Sequence, residues 1–217
     1  MNSEANAAKF FDGFAGTFDT LYDEKRNFFM QWVDRHFRSD MFIRFALSFQ
    51  VMGNLSEKTV LDIGCGSGPY VLEALNRGAK HVTAVDPAPN MLALTQHRLE
   101  HAGWAEKCKL VEAAFPGVDL EQHDHIIVMG VMDYVADAGS FLSELKPLAK
   151  LSAVVSFPSV HWFRTPARKL RYYVRNCPVH FYTQTEIIEL CRRAGFETID
   201  IKKIAGAGMD YHVCLKP

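Results

Sequence analysis

The 217-residue chain lacks any apolar run long enough to span a bilayer. Its most prominent uncharged stretch, Leu151 to Phe163, is short and interrupted by Pro158 and His161. The start, Met1-Asn2-Ser3-Glu4-Ala5-Asn6, has no basic stretch followed by an apolar one, so a secretory leader is not expected. Cysteine is sparse: Cys65, Cys108, Cys177, Cys191 and Cys214 are odd in number and never spaced C-x-x-C. That excludes a disulfide framework and a zinc knuckle, and no metal site is assigned. Net charge is nearly absent, at -1, which argues against a bulk polyanion binder such as a non-specific nucleic-acid protein. Internal repeats and low-complexity segments are missing too. The expectation is a cytoplasmic protein with reduced thiols and no membrane span.

What is present is an ordinary globular composition, 48% hydrophobic and 23% charged, in a length that suits one embellished domain. From residue 59 onward, short apolar runs alternate with amphipathic segments. Strands are expected at Thr59–Ile63, His81–Val85, Lys109–Val111, His125–Met129 and Ala153–Phe157, and helices at Pro69–Asn76, Asn90–His101 and Ala138–Leu145. Runs such as Ile126-Ile127-Val128-Met129 suit strands buried on both faces, and strand-helix alternation implies a parallel α/β sandwich. A helix over Thr185–Ala194, stopped by Gly195, leads into strands Phe196–Ile204 and Tyr211–Leu215, joined by the glycine-rich 205–208 as a hairpin. His123-Asp124-His125 has two potential metal donors but no third ligand nearby, and reads as a polar loop entering a buried strand. Residues 1–58 show no strand pattern and read as helices over about 5–22, 25–37 and 41–52, an extension outside the alternating core.

The chemistry concentrates in Val60-Leu61-Asp62-Ile63-Gly64-Cys65-Gly66-Ser67-Gly68: a strand, an acid and a G-x-G-x-G loop directly before a helix. Such glycines let a backbone pass close to a ligand, and the helix N-terminus offers free N–H groups. Asp86, at the end of the next strand, is placed to accept hydrogen bonds from both hydroxyls of a ribose. A dinucleotide fingerprint would need glycine at position 69, which is Pro69. Asp62 would repel a pyrophosphate but suits a ligand with a cationic amino group and no phosphate. S-adenosylmethionine (SAM) meets that description, and a nicotinamide oxidoreductase is the weakest rival.

The run Val60–Gly68 resembles motif I of class I SAM-dependent methyltransferases, Asp86-Pro87 resembles the acid that ends their second strand, and Gly195-Phe196 resembles the A-G-F before their sixth. The resemblance spans 59–215 and implies a Rossmann-like α/β sandwich. Its sheet has seven strands in the order 3-2-1-4-5-7-6, with the last antiparallel. It further implies SAM as cofactor, released as S-adenosylhomocysteine (SAH). The residues that match are Asp62, Gly64, Cys65, Gly66, Asp86, Pro87, Met91, Ala114, Phe115 and Met129, with Tyr22 from the extension. Ala114 stands where the family often has an acid, leaving backbone contacts there, and Ala88 replaces a frequent capping serine.

Three regions are candidates for the acceptor side. Phe11-x-x-x-Ala15-x-x-Phe18-Asp19-x-x-Tyr22 resembles a segment of small-molecule members, including ubiquinone/menaquinone and magnesium-protoporphyrin methyltransferases, where that helix covers the cofactor. Phe18 and Tyr22 are therefore lid candidates, with an amphipathic packing face as the plain alternative. Asp133 and Tyr134 follow the fourth strand as a possible base and positioning group, and His161 is the rival base. Residues 145–185 carry seven Lys or Arg and no acid, so the net -1 divides into +7 here and -8 elsewhere. Within the insertion at 158–182, Thr165-Pro166 starts a helix that aligns Arg164, Arg168, Arg171 and Arg175 along one side. This is either a solvated face or a cationic rim for carboxylate, phosphate or a carrier tether. The division is thus 1–58 as helical lid and 59–217 as SAM domain. The expected activity is methyl transfer to oxygen of a small anionic metabolite. The alternatives are an RNA or protein methyltransferase and a non-catalytic SAM-binding protein. No nucleic acid partner is expected.

Overall fold

The computed structural model describes residues 39–160, 179–204 and 210–217. The lid candidates Phe18 and Tyr22, the helices expected before residue 39, His161, the arginines 164–175 and the glycine-rich tip at 205–208 lie outside the described residues.

Helix α1 (Ser39–Met52) leads into β1 (Thr59–Ile63), α2 (Pro69–Asn76), β2 (His81–Asp86), α3 (Pro89–Ala102), β3 (Cys108–Glu112) and β4 (His123–Val128). Helix α4 (Ala138–Leu145), β5 (Ala149–Phe157), α5 (Gln184–Arg193), β6 (Thr198–Lys203) and β7 (Tyr211–Lys216) complete it. The seven strands form one sheet in the order β3-β2-β1-β4-β5-β7-β6. Pairings β1–β2, β1–β4, β2–β3 and β4–β5 are parallel, whereas β7 runs antiparallel to both β5 and β6. The expected strand order is therefore observed.

Period-two alternation divides the core between the two faces of the sheet. Val60, Val82, Ala84, Ile127, Val154 and Cys214 pack with Phe49, Met52, Val71, Leu75 and Leu99 of helices α1, α2 and α3. Their neighbours Leu61, Ile126, Val128, Val155 and Val213 pack with Phe141, Leu142, Ile187 and Cys191 of α4 and α5. Each large aliphatic chain buried this way contributes roughly 1.5–3 kcal/mol. Local chemistry sets the helix ends. Gly103, at φ 74, closes α3 in the left-handed conformation. The Asp137 side chain caps α4, and Thr183 with Glu186 forms a capping box on α5.

Two strands start earlier than expected. Strand β4 begins at His123, two residues before the expected start at His125, so His123 and Asp124 sit within the strand rather than in a loop. Both histidines are buried because their ring nitrogens have partners: His123 Nε2 lies 2.9 Å from Thr83 Oγ1 and its Nδ1 2.8 Å from the Glu121 carbonyl. His125 Nδ1 lies 2.9 Å from Ser152 Oγ. Strand β5 likewise starts at Ala149, four residues earlier than its apolar run suggests.

Candidate active site

The glycine loop folds back on β2: the N–H groups of Gly64 and Cys65 both donate to the Val85 carbonyl, at 2.7 and 3.1 Å. Gly66 has φ +54, and a Cβ built there would meet nothing within 4 Å, so the loop presents bare backbone to an open space. At Gly68, φ +78, a Cβ would instead lie 2.7 Å from Thr95 Cγ2, so glycine is required for packing. Helix α3 braces the loop from beneath. Thr95 Oγ1 donates to the Gly66 carbonyl at 2.8 Å, and Arg98 Nη1 donates to the Ser67 carbonyl and hydroxyl at 2.8 and 3.0 Å. The Cys65 side chain turns into the core, which leaves only its main chain on the open side.

Two acids flank the loop at the carboxyl ends of neighbouring strands. Asp86 is buried and bridges backbone: Oδ2 accepts from Gly66 N–H at 2.8 Å and Oδ1 from Ala88 N–H at 2.9 Å. Burial raises its pKa, and those two hydrogen bonds oppose the rise. Asp62 is 1% exposed, and its Oδ2 has no hydrogen-bond partner. Burial, with the nearby Asp86 charge, pushes its pKa up to about 8. An uncompensated buried carboxylate oxygen is costly, so this position calls for a donor that the described residues do not supply. A ligand ammonium would meet it.

The loop after β4 stands against this arrangement. A Cβ at Gly64 would collide with the Val131 side chain, so the two loops touch. Asp133 is buried, Tyr134 half-buried, and the Tyr134 N–H closes a turn on the Val131 carbonyl at 2.9 Å. Residues 180–182 pin the loop from the other side. The His180 N–H donates to the Asp133 carbonyl at 2.9 Å, and Tyr182 Oη donates to the Met132 carbonyl at 3.4 Å. Burial, then the Asp133 charge, pushes the Tyr182 hydroxyl up to about 12.

A family model described as a methyltransferase domain matches residues 60–152, the stretch from the glycine loop's strand through β4 into β5. With the strand order and the unsatisfied acid before the loop, this decides the assignment. Residues 60–152 are a SAM-dependent methyltransferase domain. A ubiquinone biosynthesis O-methyltransferase of Nitrosomonas europaea is 28% identical over 180 residues, 77% of this chain and 73% of that protein. A tRNA U34 carboxymethyltransferase of Pseudoalteromonas translucida is 27% identical over 72% of this chain and 50% of that protein. In fold, the chain resembles the SAH-bound magnesium protoporphyrin IX methyltransferase of Synechocystis PCC 6803, with TM-score 0.76 and 18% identity over 99% and 98% of the two chains.

Among the motif residues, Gly64 and Cys65 hydrogen-bond to β2 at Val85, Asp86 holds Gly66 and Ala88, and Met91 is buried beside Ala88 and Leu94. Pro87 and Ala114 are exposed. The Phe115 ring is committed to the core, edge-on to Phe141 at 4.9 Å. Met129 is half-buried at the end of β4. Sequence reasoning missed Thr95 and Arg98, whose spacing on an amphipathic helix carries no sign of a distant loop. It also missed Arg44, a cation on α1 that reaches the ends of β5 and β7. Among the described residues no three His, Cys, Asp or Glu side chains cluster to hold a metal ion, and no helix is long and apolar enough to cross a membrane.

Proposed function

We propose that this methyltransferase acts on an oxygen, hydroxyl or carboxylate, of a small anionic metabolite. The observation that carries the acceptor class is the charge distribution: 145–185 holds seven cations and no acid in a chain that is otherwise acidic. Strands β4 and β5 run parallel, so the end of β5 at Phe157 shares a sheet edge with the loop after β4. The relatives' own activities support the reading, since one O-methylates in ubiquinone biosynthesis and another methylates a protoporphyrin.

SAM supplies a methyl group on a sulfonium and leaves as neutral SAH, so the chain has no leaving group to protonate. Asp62 holds the amino end, the Gly64–Gly66 backbone passes beneath the ligand, and Asp86 receives the ribose hydroxyls. Pro87, Met91, Ala114, Met129 and Tyr22, with the Phe115 main chain, would complete the residues that hold the cofactor. The work left to the protein is to place the acceptor in line and exclude water. Asp133 takes the proton of a hydroxyl acceptor and Tyr134 orients it, with His161 as the rival base. Arg164, Arg168 and Arg171 would attract the acceptor's anionic group, and Phe18, ahead of α1, would help cover the site. The described cysteines are free thiols, in keeping with a cytoplasmic setting.

A screen with methyl-labelled SAM across small carboxylates, phenols, sugars and porphyrins tests this; label entering none of them while SAH still binds would favour a non-catalytic SAM-binding protein. The tRNA-modifying relative favours a second reading, an RNA acceptor. Binding to RNA measured across salt concentrations separates the two, because phosphate contacts impose a steep salt slope.

A further inference from the structure

Helix α1 faces the sheet with Phe45, Phe49 and Met52, yet two polar residues one turn apart interrupt that apolar face. Arg44 Nη1 lies 3.4 Å from Ser156 Oγ on β5 and 3.5 Å from Asp210 Oδ2 just before β7. Ser48 Oγ donates to the Arg44 carbonyl at 2.8 Å and lies 3.1 Å from His212 Nε2. Ser156, Asp210 and His212 are all buried. The same Ser156 hydroxyl accepts the Gly130 N–H at 2.8 Å, at the start of the loop that carries Asp133 and Tyr134. Ser156 is thus the joint between helix α1, the β6–β7 hairpin and that loop.

An ion pair and hydroxyls beneath a helix are a poor source of stability, because apolar residues of equal volume serve as well or better. What a polar cluster at such a junction supplies instead is a single geometry. We propose that Ser156 is a positioning residue for methyl transfer. Backed by Arg44 and Asp210, it fixes the Gly130 amide and so sets where Asp133 and Tyr134 meet the acceptor. This rests on the reading of the loop after β4 as the acceptor side. Ser156 acts through the main chain and touches neither acceptor nor SAM.

The test is amide hydrogen exchange by NMR on the full chain, comparing the wild type with Ser156→Ala and Asp210→Asn, alongside calorimetry with SAH. In S156A the Gly130 amide should exchange about tenfold faster, the loss of one hydrogen bond, while Val60 and Leu61 of β1 change less than about twofold. D210N should accelerate Gly130 by roughly threefold, and SAH affinity should hold within about twofold in both. Gly130 unmoved in S156A, or β1 amides accelerating by the same factor, would reduce Ser156 to a stabilising residue and overturn the proposal. Gly130 unmoved in D210N would equally overturn the part assigned to Arg44 and Asp210. A wild type that fails to bind SAH is a different outcome, since it defeats the cofactor reading while leaving the exchange comparison intact.

Discussion

With a pKa near 8 in the free protein, Asp62 is about one-tenth ionised at pH 7. Ionising it there costs about 1.4 kcal/mol, one pH unit's worth. A ligand ammonium favours the carboxylate, so binding should expel a proton below pH 8. Affinity for SAH should then rise about ninefold from pH 6 to 7 and about fivefold again to pH 8. It should level off there, where a free α-amino group itself begins to lose its proton. Titration calorimetry in two buffers of different ionisation enthalpy counts the protons, with about 0.9 released per SAH at pH 7 expected. Asp62→Asn removes the linkage, flattens the pH profile and weakens binding at pH 8 by roughly 10- to 150-fold, the 1.5–3 kcal/mol of a charged hydrogen bond. For the unliganded protein the sign is opposite. A folded-state pKa above the unfolded value makes Asp62 cost stability as pH rises from about 4 to 8, so the Asn variant should melt higher at pH 8. A flat SAH affinity from pH 6 to 8, without proton release, would refute the assignment of Asp62 to the amino end.

Further outcomes rest on the same geometry. Gly66→Ala places a methyl in the open cradle and forces a left-handed alanine, costing about 1–2 kcal/mol of stability, and should weaken SAH at least about tenfold by calorimetry. Gly68→Ala should reverse that emphasis: its methyl meets Thr95, so melting temperature falls by more than in G66A. His212, pushed down to about 4 by burial and then by Lys202 and Arg44, is neutral in the fold. It supports stability above pH 6.5 and loses that support as pH falls towards 4, up to about 3 kcal/mol or roughly 6–12 °C in Tm. His212→Gln should flatten that slope in thermal melts between pH 4 and 7. Asp86→Asn leaves one of the Gly66 and Ala88 amides without an acceptor, and should weaken SAH binding while lowering Tm, by about 1–3 kcal/mol of lost hydrogen bonding.

The central sheet was legible because its strands are short, apolar and separated by amphipathic helices, and because Gly64-Cys65-Gly66-Ser67-Gly68 between two acids admits few ligands. The loop after β4 was legible only by its position, since nothing in Gly130–Tyr134 announces its anchors at Ser156 and His180. His123 and His125 misled because histidine in a central strand needs partners that sit 40 and 27 residues away, at Thr83 and Ser152. Thr95, Arg98 and Arg44 were invisible for the same reason. Each lies on a helix whose own spacing is ordinary, and each acts only across the tertiary fold.

The decisive experiment is incubation with methyl-labelled SAM, after which small molecules are separated from RNA and protein. Label in a low-molecular-weight anionic acceptor is the predicted result. Label confined to RNA or protein, or none at all from a chain that binds SAH, would contradict it.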